Sequence, residues 1–193
     1  YKERTATMNI TIVCDVLGEA NNGTTLAAMN LIGYLKEKGH QVTVLCPDQD
    51  KLGLPGYAVV PTWDLGIFNG YVASNGVSLA KPEDSVISRA IRDADIVHVM
   101  LPFPLGRRAI YLAKQQGIPV SSGFHVMAEN VSSHVFLQNC APANRAIYAY
   151  FSKAYRQVDA IHYPTQFLRD LYEKMYGKTN GYVISNGVNS TFQ

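Results

Sequence analysis

Short β-rich runs alternate with helical stretches along the whole chain, and this alternation limits the fold more than any other feature. A strand reaches a parallel neighbour only through a crossover lying on one face of the sheet, so repeated strand–helix units predict a doubly wound, mostly parallel α/β sheet with helices on both faces. Asn9–Cys14 is continuously apolar, as a central parallel strand is. A helix is predicted over Thr24–Lys38, where Leu26, Met29, Asn30, Gly33 and Tyr34 turn at helical spacing and Gly39 supplies the terminating residue. Further strands are predicted at Gln41–Cys46, Tyr57–Val60, Ile96–Met100, Val120–His125, Ala160–Tyr163 and Tyr182–Ile184. Helices are predicted at Glu83–Asp93, Gly106–Gln116, Asn144–Val158 and Thr165–Tyr176. Asp48 to Pro82, rich in Gly, Pro, Asn and Tyr, reads as a long excursion.

The chain's 193 residues are enough for one full core and short for two. We therefore expect a tail over 1–8 and a single domain over 9–193. A net charge of +2 gives no ground for nucleic-acid binding. Cys14, Cys46 and Cys140 lie far apart without C-x-x-C spacing, which predicts neither a metal site nor a disulfide framework and suits a reducing cytoplasm. No apolar run reaches the roughly 18 residues that span a bilayer. Tyr1 to Thr7 is polar and lacks the apolar core of a signal peptide. The expected location is the cytoplasm, with a peripheral position on the inner face of the membrane left open.

Open α/β sheets bind ligands at the carboxyl ends of their strands, which directs attention to the loop after the first strand. Gly18-Glu19-Ala20-Asn21-Asn22-Gly23-Thr24-Thr25 nearly fits G-x-x-x-x-G-K-[ST], but Thr24 stands where the phosphate-binding lysine is needed. An NTPase is thereby disfavoured. The G-x-G-x-x-G fingerprint is absent too, although Asp48 after the second strand could imitate its ribose-binding acid and keeps an NAD enzyme open. Either the free N–H groups at Gly23 and Thr24 take phosphate oxygens, or Asn22 or Thr24 caps the helix and Gly23 makes a turn.

Four phrases together resemble the retaining glycosyltransferases of group 1, or family 4, in which two Rossmann-like domains face a cleft (the GT-B fold). They are Lys38-Gly39-His40-Gln41-Val42-Thr43-Val44; Asp95-Ile96-Val97-His98-Val99; Gly117-Ile118-Pro119-Val120 with Gly123-Phe124-His125; and Ser185-Asn186-Gly187-Val188-Asn189 with Phe192. Their order and spacing cover nearly the whole chain. The resemblance implies an acceptor-side, N-terminal domain, with the donor-binding domain absent from this chain and the fragment alone inactive. Members commonly carry two adjacent glycines in the first loop, where this chain has Asn22-Gly23. Ala128-Glu129-Asn130 is similar to a segment of bacterial members that glycosylate diacylglycerol or a related lipid, which would make the acceptor a membrane glycerolipid.

What the resemblance implies for individual residues follows from the chemistry. In such a transferase the donor phosphate leaves from the face that the acceptor hydroxyl attacks, so the enzyme stabilises a diphosphate and positions an acceptor. A nucleotide sugar is the implied partner, held mainly by the other domain, and no cofactor or metal is implied. His125 is the implied catalytic residue, donating a hydrogen bond to the donor sugar or reacting centre. Gly23 and Thr24 would meet the donor phosphate, and Glu129, Asn130 and His134 the acceptor. His98, inside an apolar strand, reads equally well as a core histidine.

The helix near residue 150 offers Ile147, Phe151, Ala154 and Val158 to the core. On another face Tyr148 and Tyr155 stand with Arg145, Lys153 and Arg156, a set that either rests in a lipid headgroup layer or forms an ordinary helix surface. Ile67, Phe68 and Tyr71 are further candidates for membrane contact. Two other kinds of protein stay open: an NAD- or sugar-nucleotide-modifying enzyme, and a non-catalytic binding module.

Overall fold

Burial on both sides of Asn9–Val13 sets the architecture. Ile10 and Ile12 point to one face and Thr11 and Val13 to the other, and all four are almost fully covered. The structure, a computed structural model, describes residues 6–15, 23–64, 80–125 and 141–185. In chain order its elements are β1 (Asn9–Val13), α1 (Gly23–Glu37), β2 (Gln41–Cys46), a 3-10 turn (Gln49–Lys51), β3 (Tyr57–Val59), α2 (Asp84–Ile91), β4 (Ile96–Val99), α3 (Pro104–Gln115), β5 (Val120–Gly123), α4 (Ala141–Tyr155), β6 (Ala160–Tyr163), α5 (Gln166–Tyr176) and β7 (Gly181–Val183).

The seven strands form one sheet in the order β3-β2-β1-β4-β5-β6-β7, and all six ladders are parallel. The chain winds outward from β1 in one direction to β3, then returns to β1's other side and winds outward to β7. One face packs Ile10, Ile12, Cys14, Val42, Val44 and Cys46 against Ala28 and Ile32 of α1. On the opposite face Val13, Leu45, Val97, Val99 and Val120 meet Ile87 and Ile91 of α2 and Leu105, Ala109, Ile110 and Ala113 of α3. Cys14 and Cys46 are buried free thiols, acting as small apolar side chains.

The predicted elements are present in type, with ends displaced by a few residues. α1 stops where expected because Gly39 takes φ = +86°, a conformation that favours glycine, and lets His40 N–H donate to the Leu35 carbonyl at 3.1 Å. α4 begins three residues earlier than predicted, at Ala141, and ends at Tyr155, so Val158 packs from the turn beyond it. β5 ends at Gly123 and leaves His125 past the strand.

Two aspartates set register where strands begin. Asp95 accepts from the Asn9 N–H at 2.7 Å, holding β4 beside β1. Asp159 accepts from the Val120 N–H at 2.8 Å, holding β6 beside β5, and also pairs with Lys114 at 2.8 Å.

Candidate functional site

The chain reverses its winding between β1 and β4, and at the carboxyl ends of these strands the connections part to opposite faces and leave a crevice. Gly23 opens α1 after the loop that follows β1, and Thr24 stands in its first turn. Both therefore lie where the sequence places them, at a helix N-terminus whose backbone N–H groups lack intrahelical partners.

His125 lies beyond the carboxyl end of β5. Phe124, fully buried, is directed to the face opposite α1, with its ring centroid 5.2–5.5 Å from those of Tyr155, Tyr163 and Tyr172. That anchor sends the residues on either side of it to the α1 face, where the His125 ring folds back over Gly123. A Cβ built on Gly123 would overlap the ring, so glycine is needed here for close approach. Beneath the strand end, the Tyr155 hydroxyl donates to the Gly123 carbonyl at 3.0 Å.

Two further histidines share this face. His98 of β4 is in register with Ser121, and its Nδ1 lies 2.8 Å from the Ser121 hydroxyl. His162 of β6 is in register with Gly123, and its ring meets that of His125 edge-on, with centroids 5.3 Å apart and planes 75° apart. Burial, reinforced by the neighbouring His125 and His162, pulls the His98 pKa down to about 3. Burial and then His162 pull that of His125 down to about 4. Both rings are neutral near pH 7.

The Nε2 of His98 and both ring nitrogens of His125 are buried without a hydrogen-bond partner among the described residues. An unmet buried polar group costs about 1–3 kcal/mol. A neutral imidazole offers one donor and one acceptor, which is what a hydroxyl needs and a poor match for an anion. His98 is thus a core residue on its Ser121 side and a member of the site on the other. His162 was not apparent from the sequence, although Asp159-Ala160-Ile161-His162 repeats the pattern of Asp95-Ile96-Val97-His98.

Asp15, immediately after β1, is a second group the sequence did not single out. Its carboxylate, 3% exposed, accepts from the Leu105 and Gly106 N–H groups at 2.8 Å each, at the start of α3. Burial pushes its pKa up to about 7, against the pull of those two donors. The residue ties the end of β1 to α3 across the crevice.

The expected membrane face on α4 needs correction. Tyr148 and Tyr155 are each 4% exposed and belong to the aromatic cluster with Phe124, Phe151 and Tyr172, so neither side chain can lie in a headgroup layer in this structure. Lys153 and Arg156 are exposed. Glu129, Asn130 and His134, like Ile67, Phe68 and Tyr71, lie outside the described residues. Among the described residues, no helix is long and apolar enough to cross a membrane and no group of three or more His, Cys, Asp or Glu side chains is arranged to hold a metal ion.

Residues 21–192 match the sequence model of the family described as Glycosyltransferase Family 4. No curated protein matches the chain by sequence. Among solved structures it is similar to an α-glucosyltransferase in complex with UDP and a 13-mer DNA containing an HMU base, with a TM-score of 0.53 and 14% identity over 95% of this chain and 44% of that one. It is also similar to a protein from Listeria monocytogenes described as a UDP-N-acetylglucosamine 2-epimerase, with a TM-score of 0.55 and 13% identity over 93% of this chain and 45% of that one. At such identities the likeness concerns the fold, one Rossmann-like half of a GT-B architecture, and not the chemistry. The chain spans less than half the length of either structure.

Proposed function

The chain belongs to glycosyltransferase family 4, and from that premise we propose that it forms the acceptor-side wall of a retaining enzyme transferring a hexosyl group from a nucleotide sugar. The observation that carries the proposal is the His125 ring, neutral, folded over Gly123 and unpaired at both nitrogens among the described residues. It would bond a hydroxyl of the donor sugar or the oxygen of the reacting centre, where a pre-aimed donor strengthens as charge develops. The backbone N–H groups at Gly23 and Thr24 would meet the diphosphate. Because the His98 and His125 rings are neutral near pH 7, we propose that the charge balancing the leaving diphosphate comes from a second domain. UDP-glucose is the first donor to try, since a related α-glucosyltransferase structure holds it.

For the acceptor we propose a membrane glycerolipid such as diacylglycerol, on the resemblance carried by Ala128-Glu129-Asn130, with Glu129, Asn130 and His134 on the acceptor side. With Tyr148 and Tyr155 buried, contact with a membrane on the inner face of the cell would fall to exposed groups such as Lys153 and Arg156. A sugar-nucleotide-modifying enzyme is the rival that an observation favours, because a protein described as an epimerase shares this fold.

One assay separates them. The full-length protein is given a panel of nucleotide sugars, UDP-glucose first, with liposomes containing diacylglycerol, alongside His125→Ala and the 1–193 chain. Transfer to lipid by the full-length protein, lost by a factor of about 100 or more in His125→Ala, is the expected result. Epimerised or hydrolysed donor with no transfer would select the rival, and transfer unaffected by His125→Ala would remove His125 from the chemistry.

A further inference from the structure

The phrase shared by β4 and β6 gives the two strands the same layout. Each opens on an aspartate that pins the neighbouring strand's first N–H, and three residues later each bears a histidine. Val97 and Val99 belong to the core on the α2 and α3 face, and Ile161 and Tyr163 to the aromatic core, so strand alternation directs both histidines to the face over which α1 lies. β5 runs between them. His98 stands beside Ser121 and His162 beside Gly123, the residue over which His125 folds.

The two flanking histidines differ in what fixes them. His98 has the Ser121 hydroxyl, which either donates or accepts. His162 Nε2 lies 2.5 Å from the carbonyl oxygen of Ile184. A carbonyl only accepts, so His162 Nε2 carries a proton and donates it there. Ile184 follows β7 directly and is itself held by its N–H donating to the Tyr163 carbonyl at 2.9 Å. The His162 ring is therefore fixed in tautomer and orientation by the backbone just past the last strand, and its edge meets the His125 ring.

We propose that His162 is a positioning residue for His125: anchored through Nε2–H to the Ile184 carbonyl, it holds the His125 ring against Gly123 with its nitrogens free for the ligand. Through this bond the segment after β7 acts on the site, because any displacement of Ile184 moves His162 and with it the ring of His125. The inference rests on the role of His125 given above, and its test is separable from that role.

Two substitutions divide the contributions. His162→Phe keeps a ring at the edge of His125 and removes the donor to Ile184, while His162→Gln keeps a donor and removes the ring. His162 is only partly buried at the end of the sheet, so both variants are expected to fold, which thermal unfolding checks. The first measurement is nitrogen-15 NMR of the His125 ring in this chain, which reads tautomer and mobility without any activity. We expect one set of His125 ring signals with restricted motion in the parent chain, a mobile or multiple set in His162→Phe and partial recovery in His162→Gln. The second is kinetics of the full-length enzyme, where His162→Phe should lower kcat about tenfold with the donor KM changed less than twofold, as misorientation of a reacting group does. His125 signals and kcat both unchanged in His162→Phe would overturn the proposal while leaving His125 as it stands. Mobilised His125 ring signals in His162→Phe, with full transfer retained in His125→Ala, would uphold the positioning and overturn the role it serves.

Discussion

At position 123 a methyl group and an imidazole compete for the same space. Gly123→Ala should therefore displace the His125 ring and lower kcat of the full-length enzyme by about 10- to 100-fold, with little change in thermal unfolding, since the strand conformation itself suits alanine. Retained kcat would show that the ring has another resting place. The buried ionisable groups predict how stability depends on pH. His98 and His125 titrate at about 3 and about 4 when folded, against 6.5 when unfolded, so between pH 5 and 6.5 the unfolded chain takes up protons that the folded chain refuses, and these two groups make stability rise with pH. Asp15 acts in the opposite sense, holding its proton up to about pH 7 where the unfolded chain has released it above 3.8. Two groups against one give a net rise from pH 5 to 6.5, measurable by urea unfolding of this chain, and Asp15→Asn should steepen it. A flat or falling profile would contradict the burial of the histidines. Of these residues the sequence singles out His125, chiefly through the family resemblance of the strand before it, but not its fold-back over Gly123. His162 and Asp15 are hidden for a physical reason, since polar residues at strand ends look alike whether they meet water or the backbone of a distant segment.

The type of each element is legible because strand and helix periodicities differ, and helix α4 shows where that legibility stops. Ile147, Phe151, Ala154 and Val158 lie at core spacing, but so do Tyr148, Phe151 and Tyr155, and periodicity does not say whether the two tyrosines face water or the core. The structure covers both sets: Ala154 is buried and Ile147 and Val158 pack against the core, while Tyr148, Phe151 and Tyr155 are buried in the aromatic cluster. The tyrosine hydroxyl, which makes the residue look like surface, finds a partner at the Gly123 carbonyl. α4 thereby becomes the support under the strand that ends at His125. Tyr155→Phe should cost about 1–2 kcal/mol of stability, and Phe124→Ala about 3–5 kcal/mol, as an emptied aromatic site in a packed core does. Denaturant unfolding of the two variants tests both, and equal costs would mean that the cluster is less tightly packed than the ring distances imply.

On the scale of the whole molecule, the sheet gathers the N-terminus of α1, the histidine cluster and the Asp15 tie at one edge while leaving that edge without a partner wall among the described residues. The strand–helix alternation made one parallel sheet legible, whereas the crevice at its carboxyl ends follows from the strand order, which no local periodicity encodes. Since the neutral His98 and His125 rings supply no countercharge for a diphosphate, the 1–193 chain should release no UDP from UDP-glucose under conditions where the full-length protein of our proposal does, and UDP release by the chain alone would show that one wall suffices. The strand order also decides how the chain fares while it is being made. β1, β2 and β3 can associate once Val59 has left the ribosome, but the second edge of β1 waits for β4, whose first residue is Ile96. Throughout that interval Ile10, Ile12 and Val13 form an open parallel edge, and contacts so distant in sequence form slowly. A nascent chain halted near residue 90 should accordingly be held by chaperones or aggregate, whereas one halted after β5 should already have closed the centre of its sheet.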